Sequence, residues 1–336
     1  MLKSTQYDLF ARHVSVVCDP RAEQLGAFIE ARWQRFVRVA PLAAGPGDAT
    51  AGPGERPLDP DLVFHLHERS GSRLREWQFF SNDRVLVIAD DRRLITGYFH
   101  RRPWHVHIEA CDQTVDDVYY YMFEPLLLMT LARLGLVHWH SGAVSLDGAA
   151  VLLAGPSGSG KSTTTLRFLE SGFAFVADDE IFLEHRADGI AALGVDGDIH
   201  VTDNTLAMFP RLDHLKSAPL VQRGHGLKRS VPVSRLYAAP ATCAAPAATA
   251  PLARVVLFPT VCDEGQTRLE RLPSAEAVRR FLSHRPKEYP TLVTDGPSAQ
   301  RRLDTYVELA RTVKCFDVRL GRDAASLPRQ IEAYLQ

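Results

Sequence analysis

The chain has 336 residues, of which 46% are hydrophobic, and a formal net charge of −1. This size allows one large domain or two modest ones, and the near-neutral charge excludes a general attraction to polyanions, so we expect no nucleic-acid partner. No apolar run approaches the roughly 20 residues that span a bilayer, and the first residues lack the apolar stretch of a secretory signal. We therefore expect a cytoplasmic protein without a membrane partner.

Five cysteines are scattered along the chain with no C-x-x-C spacing. Such a distribution indicates neither a zinc site nor a disulfide framework. We expect free thiols at Cys18, Cys111, Cys243, Cys262 and Cys315.

Residues 1–134 predict a small α+β lobe that is rich in strands. A flexible loop is expected at 41–60, because the Gly/Pro/Ala-rich stretch from Pro41 to Gly54 cannot hold a packed element. Short runs of strand-forming residues surround it at Val14–Cys18, Leu62–His67, Trp77–Phe80, Val85–Ala89 and His105–Ala110.

Histidines alternate along the last of these runs, in Trp104-His105-Val106-His107. A metal-binding role for His105 and His107 is one interpretation, but partly exposed strand histidines are the commoner outcome of this pattern. The apolar spacing from Val115 to Leu134 then predicts a helix.

Residues 135–336 predict an α/β domain, because strand-like and helix-like segments alternate along them. A low-complexity connection is expected from Tyr237 to Leu252. The predicted elements are a strand at Ala149–Ala154, a helix at Ser162–Glu170 capped by Gly172, a strand at Val255–Phe258, helices at Ser274–Ser283 and Gln300–Thr312, a strand at Phe316–Leu320 and a last helix ending near Leu335.

The segment between the first of these strands and the first helix satisfies the Walker A pattern G-x-x-x-x-G-K-[ST]. Backbone N–H groups and the helix N-terminus would hold the β-phosphate of ATP, Lys161 would reach the β- and γ-phosphates, and Ser162 would ligate Mg²⁺. The predicted nucleotide-binding residues are Gly155, Ser157, Gly158, Ser159, Gly160, Lys161, Ser162 and Thr163.

Two acids, Asp178 and Asp179, follow Lys161 by only 17 and 18 positions, which leaves room for one helix and an immediate return to the sheet. The chain has neither the L-S-G-G-Q signature of transporter-type ATPases nor the N-K-x-D of GTPases. Both classes are therefore disfavoured.

The order of motifs resembles that of the HPr kinase/phosphorylase family: a strand with histidine (His140-Ser141-Gly142-Ala143-Val144), the glycine-rich loop, one helix, and then Val176-Ala177-Asp178-Asp179. These elements stand in the family's register over about 45 residues. The resemblance implies a P-loop core of the type found in the C-terminal domain of HPr kinase, preceded here by a β-rich lobe that does not resemble the family's usual N-terminal domain.

The resemblance also implies roles for individual residues. Asp178 is similar to the family's general base, Asp179 would share Mg²⁺ with Ser162, and His140 is similar to a histidine that lies against the catalytic aspartate. Arg223, in Arg223-Gly224-His225-Gly226-Leu227, resembles the arginine of an acceptor-side loop, although Val221 stands where the family has glutamate. The surrounding span 211–235 is basic, which fits a solvated surface as well as a grip on phosphates or on an acidic peptide.

The activity implied is that of an ATP-dependent kinase acting on a serine or other hydroxyl of a peptide or small protein, with ATP and Mg²⁺ as cofactors. Related kinases with replaced N-terminal segments include those that phosphorylate lasso-peptide precursors, an analogy that does not fix the substrate. A small-molecule kinase and a nucleotide-binding module without phosphoryl transfer are the alternatives, and a homo-oligomer is left open.

Overall fold

The computed structural model describes residues 2–9, 12–33, 60–68, 78–81, 84–89, 93–110, 114–194, 197–223, 226–236, 250–283 and 296–335. The predicted loop 41–60 lies outside these ranges except for Pro60, as do most of the predicted connection 237–252 and two of the five cysteines. The other three, Cys18, Cys262 and Cys315, are free thiols, as expected.

The chain divides into two compact units, Met1–Thr130 and Leu131–Gln336, so the division falls slightly before the predicted boundary after Leu134. The first unit contains one seven-stranded sheet with the strand order β1-β2-β3-β7-β6-β5-β4. Strands β2, β3 and β7 run parallel to one another, and the other pairs are antiparallel. Its strands are β1 (Lys3–Leu9), β2 (Arg12–Cys18), β3 (Leu62–Glu68), β4 (Gln78–Ser81), β5 (Val85–Ala89), β6 (Arg93–Tyr98) and β7 (Trp104–Ala110).

Helix α1 spans Glu23–Trp33, and the predicted helix after β7 is present as α2 (Val115–Val118), a π-helical turn, and α3 (Glu124–Arg133). Phe64 and Leu66 of β3 and Val106 and Ile108 of β7 are buried, and Phe64 packs against Phe123 with ring centroids 4.6 Å apart. Because successive strand residues point to opposite faces, the histidines between these core residues lie on the other face and are half-buried.

The second unit contains an eight-stranded mixed sheet and a three-stranded sheet. In the larger sheet the order is β10-β8-β11-β12-β16-β18-β17, and β9 pairs with both β8 and β16; the smaller sheet has the order β13-β15-β14. The strands are β8 (Val137–Leu146), β9 (Ala149–Ala154), β10 (Ala174–Ala177), β11 (Glu180–Arg186), β12 (Gly189–Gly194), β13 (Asp198–Val201), β14 (Leu220–Arg223), β15 (Gly226–Pro232), β16 (Leu252–Val261), β17 (Arg268–Arg271) and β18 (Lys314–Leu320). The helices are α4 (Lys161–Glu170), α5 (Asp203–Ala207), α6 (Ser274–Ser283), α7 (Gly296–Thr312) and α8 (Leu327–Glu332).

Strand β9 is buried on both faces, which explains its uninterrupted apolar sequence. Val151 and Leu153 belong to a core shared with α4, α8 and the three-stranded sheet. The alternate residues, Ala150 and Leu152, belong to a second core shared with α6 and α7. The strand that leads into the glycine-rich loop is thus fixed in the middle layer of this unit.

The fold is mixed α/β with several sheets, and it departs from simple alternation of strands and helices in one region. Between α4 and β16 the chain forms six strands, interrupted among the described residues only by the short helix α5 and by turns of 3₁₀ helix. The predicted strand Ala149–Ala154 and helix Ser274–Ser283 have the bounds that the structure shows. Among the described residues, no helix combines the length and the apolar character needed to cross a membrane.

Candidate active site

The glycine-rich loop joins the end of β9 to the start of α4, so strand, loop and helix follow in the predicted order. Gly158 has φ 84° and Gly160 has φ 100°, and both values lie in the left-handed region that favours glycine. At the other end of α4, Gly172 also has a positive φ, and its N–H donates to the carbonyl of Leu169. Gly172 therefore ends the helix as predicted.

Lys161 is buried at the first position of α4 and folds back onto the loop. Its Nζ donates to the carbonyl oxygen of Gly155 at 2.7 Å and to that of Pro156 at 3.3 Å. Burial lowers the pKa of Lys161, and the neighbouring carboxylates of Asp179 and Asp178 counteract that effect. The ammonium group thus lies within the field of both acids that the sequence singled out.

Asp178 and Asp179 form the turn between β10 and β11. The Asp178 side chain is 1% exposed, its Oδ2 accepts a hydrogen bond from the backbone N–H of His200 at 2.8 Å, and its Oδ1 is buried without a hydrogen-bond partner among the described residues. Burial and the charge of Asp179 raise the pKa of Asp178, and the backbone N–H of His200, the charge of Lys228 and the Ser162 hydroxyl offset only part of the rise. Asp178 is therefore a carboxyl whose ability to take up a proton is enhanced.

Asp179 has the opposite electrostatic character. Its carboxylate is half-buried and lies 4.0 Å from Nζ of Lys228 on β15. Burial acts to raise its pKa, but the charges of Lys228, His140 and His200 outweigh burial and hold the pKa of Asp179 below its ordinary value. Adjacent carboxyls whose pKa values are pushed apart are suited to different tasks, one to proton transfer and one to holding a cation.

Position 142 is in van der Waals contact with this turn. A Cβ on Gly142 of β8 would lie 2.8 Å from the backbone oxygen of Asp178, closer than real Cβ atoms approach. Gly142 does not have a positive φ, so its backbone conformation does not require a glycine. The close approach of the two backbones does require one.

His140 has a different partner from the one that the family resemblance implies. Its Nδ1 lies 3.1 Å from Oε1 of Glu180, which is directly opposite on β11, and His138 contacts the other oxygen of the same carboxylate. Burial favours the neutral ring of His140, but the Glu180 carboxylate outweighs burial and raises the pKa of His140. Burial also acts to raise the pKa of Glu180, but the two histidines outweigh it and hold that pKa below its ordinary value. The expected contact of His140 with Asp178 is thus replaced by a contact with Glu180, while His200 lies against Asp178.

The other predicted residues are placed as follows. The hydroxyl of Thr163 lies 3.2 Å from that of Thr205 on α5. Arg223 ends β14, where its backbone pairs with Gly226, and its side chain lies outside the described part of the chain. Lys228, a member of the basic span 211–235, faces Asp179.

Sequence reasoning missed His200 and Glu180. His200 lies on β13, is 2% exposed, and has its ring Nδ1 3.8 Å from Oδ2 of Asp178. The ligand atoms of Asp178, Asp179 and His200 all lie within 4.8 Å of one another, so this group could hold a metal ion. The signal for Glu180 was present in the sequence, because it directly follows the two predicted acids; His200 had no comparable signal.

Comparison with known proteins gives little further information. No family model and no curated protein matches this sequence. The structure is similar to that of the Hpr(Ser) kinase/phosphatase from Coxiella burnetii, with 13% sequence identity, coverage of 59% of this chain and 87% of that chain, and a TM-score of 0.30. A likeness this distant says nothing about activity, which depends on the site residues.

Proposed function

We propose that this protein is an ATP-dependent kinase that transfers the γ-phosphoryl group to a serine or other hydroxyl of a peptide or small protein. The observation that carries the proposal is the pair Asp178–Asp179, two adjacent acids with opposite pKa shifts, within the electrostatic reach of the lysine of a glycine-rich loop. The distant structural likeness to an Hpr(Ser) kinase/phosphatase is consistent with this proposal but adds no support to it.

The loop would bind the phosphates of ATP. Its positive-φ glycines allow the backbone N–H groups ahead of α4 to turn toward one point, where the helix dipole also favours an anion. The two carbonyl oxygens that Lys161 now contacts are weaker partners than a triphosphate, so the ammonium group would exchange them for phosphate oxygens.

Mg²⁺ fits the donor set beside the loop. Asp179 stays ionised, and the Ser162 hydroxyl lies on the first turn of α4. Oxygen donors of this kind are those that Mg²⁺ prefers. Ser162 and Asp179 would hold the ion, which would neutralise charge on the phosphates.

Asp178 would act as the general base. The backbone N–H of His200 fixes Oδ2, which leaves Oδ1 to accept the proton of the acceptor hydroxyl. The deprotonated oxygen forms the new bond to the γ-phosphorus, the bond between that phosphorus and the β,γ-bridging oxygen breaks, and ADP leaves with that oxygen. The raised pKa of Asp178 makes it a better proton acceptor than an ordinary aspartate once it is ionised.

Cations on the acceptor side would complete the site. Lys228 lies close enough to Asp179 to influence it, and Arg223 stands on the neighbouring strand β14 of the same small sheet. An arginine there would stabilise charge on the transferring phosphoryl group, and the surrounding basic residues suit an acidic peptide.

The test is phosphoryl transfer from γ-labelled ATP with Mg²⁺, offered to candidate peptides and, separately, to a metabolite extract. We expect label on a peptide or protein hydroxyl, and we expect Lys161→Ala to abolish transfer while Lys3→Ala, which alters an exposed lysine paired with Glu30, leaves it unchanged. Label only on a metabolite would establish the small-molecule alternative. Nucleotide binding without transfer to any acceptor would support the silent module instead.

A further inference from the structure

Four histidines share the outer face of the seven-stranded sheet in the first unit. His65 and His67 lie on β3, and His105 and His107 lie on β7. The two strands pair in parallel with His65 directly opposite His107, so residues about 40 positions apart in sequence become neighbours. Two of the rings are nearly parallel: His65 and His107 stack with centroids 4.2 Å apart and an interplanar angle of 7°.

Three of these side chains bring ligand nitrogens together. Nitrogens of His65, His67 and His107 all lie within 4.8 Å of one another, and each of the three residues is half-buried. Around a tetrahedral zinc ion, with Zn–N bonds of about 2.0 to 2.1 Å, ligand nitrogens are roughly 3.4 Å apart. The rings also stack in parallel planes, so the side chains would have to rotate to bring the three lone pairs onto one ion.

Polar contacts to the ring nitrogens support the same arrangement. Nδ1 of His67 lies 3.3 Å from Oδ2 of Asp19, and a proton held there leaves the lone pair on Nε2. Asp19 is itself fixed, because its Oδ1 accepts from the backbone N–H groups of Arg21 and Ala22. A carboxylate that orients a histidine from behind is the usual outer-shell partner in metal sites.

His105 is placed to orient His65. Its Nδ1 lies 3.0 Å from Nε2 of His65, and a proton on Nε2 leaves the lone pair of His65 on Nδ1. Neutral imidazole is the form of histidine that binds metals.

We propose that this histidine face binds a divalent transition-metal ion of the zinc class through His65, His67 and His107. Imidazole nitrogens suit zinc, copper and nickel better than magnesium or calcium, so the site selects a different cation from the oxygen donors of the candidate active site. With three protein ligands on a half-buried face, solvent would take the fourth position.

The experiment titrates the full chain, freed of metal by a chelator, with Zn²⁺ against a chromophoric competitor, and records the visible spectrum after Co²⁺ substitution. We expect one zinc ion held by this face, with tetrahedral-type Co²⁺ absorption, and at least 100-fold weaker binding in a His67→Gln/His107→Gln double variant. His13→Gln is the matched control, because His13 lies on β2 of the same sheet and pairs with Asp8 instead.

The Asp179→Asn variant distinguishes zinc bound at the histidine face from zinc bound at the candidate active site, because His200 and the two acids there could also bind zinc. The proposal holds if zinc affinity survives Asp179→Asn and falls in the double variant. It is overturned if the double variant binds zinc like the parent, or if Asp179→Asn alone removes the zinc. The His67→Gln single variant provides the same comparison if the double variant does not fold.

Discussion

The candidate active site and the histidine face both gather potential metal ligands, but the chain assembles them differently. Lys161, Ser162, Asp178 and Asp179 lie within 18 positions of one another, so one strand–loop–helix–strand passage delivers them. The histidines come from two strands about 40 positions apart, which meet only because β3 and β7 pair in parallel. A site built within one passage leaves a motif in the sequence, whereas a site built by strand pairing leaves only scattered residues.

The greatest loss of activity is expected from substitutions of Asp178 and Asp179. We expect Asp178→Asn to lower the rate of phosphoryl transfer by about 10²-fold or more with nearly unchanged ATP affinity, because the proposed base is lost. Asp179→Asn should instead raise the Mg²⁺ concentration required. Steady-state kinetics across a magnesium series measures both effects, and identical metal dependence in the two variants would contradict the division of tasks.

A substitution of Glu180 measures how much its contacts between β8 and β11 contribute to the stability of the fold around the candidate active site. We expect Glu180→Gln to lower the free energy of unfolding by about 1.5 to 3 kcal/mol near pH 6, because His138 and His140 lose their shared anion. The pKa of Glu180 is depressed, so its contribution is present above the ordinary carboxyl range and is lost as pH falls. Urea denaturation at two pH values measures it, with Asp213→Asn, at an exposed pair, as the control.

Asp19 tests the histidine face without touching a ligand. Asp19→Asn keeps an oxygen acceptor for the N–H groups of Arg21 and Ala22 but removes the charge behind His67. We expect zinc affinity to fall by about 10- to 100-fold, the range for loss of an outer-shell partner. The competition titration described above measures it; unchanged affinity would mean that Asp19 only caps the following turn.

The most modest change is expected in the pKa of the Asp178 carboxyl. In the metal-free, nucleotide-free chain we expect the Asp178 carboxyl to titrate above the ordinary aspartate value of about 3.9. Asp179→Asn should move that midpoint downward, since the charge of Asp179 contributes to the rise. Carbon-13 NMR of the carboxyl group follows both midpoints, and an unperturbed Asp178 in the parent would remove the basis for its enhanced basicity.

Local signals predicted those parts of the fold whose physical cause is local. Strand β9 carries an apolar run because both of its faces are buried, and Gly172 marks the end of α4 because only a positive φ fits there. The positions of the glycine-rich loop and of the two acids followed from the same kind of evidence.

The rest depended on pairing between distant segments. His200 reaches Asp178 through β13, a short strand of a separate small sheet, and nothing in its neighbourhood in the sequence indicates that contact. The partner of His140 depends on the register between β8 and β11, which sets Glu180 opposite it. Motif spacing contains no information about such a register.

The contact between Gly142 and the turn that holds Asp178 has a consequence for genetics. Gly142 has no side chain that could bind ATP, a metal or an acceptor, yet any replacement must displace the backbone oxygen of Asp178. A saturation screen scored on activity would rank position 142 beside Asp178 and Asp179, and a screen scored on abundance alone would rank it lower. The difference between the two rankings would point to the turn at Asp178 through a residue that has no side chain.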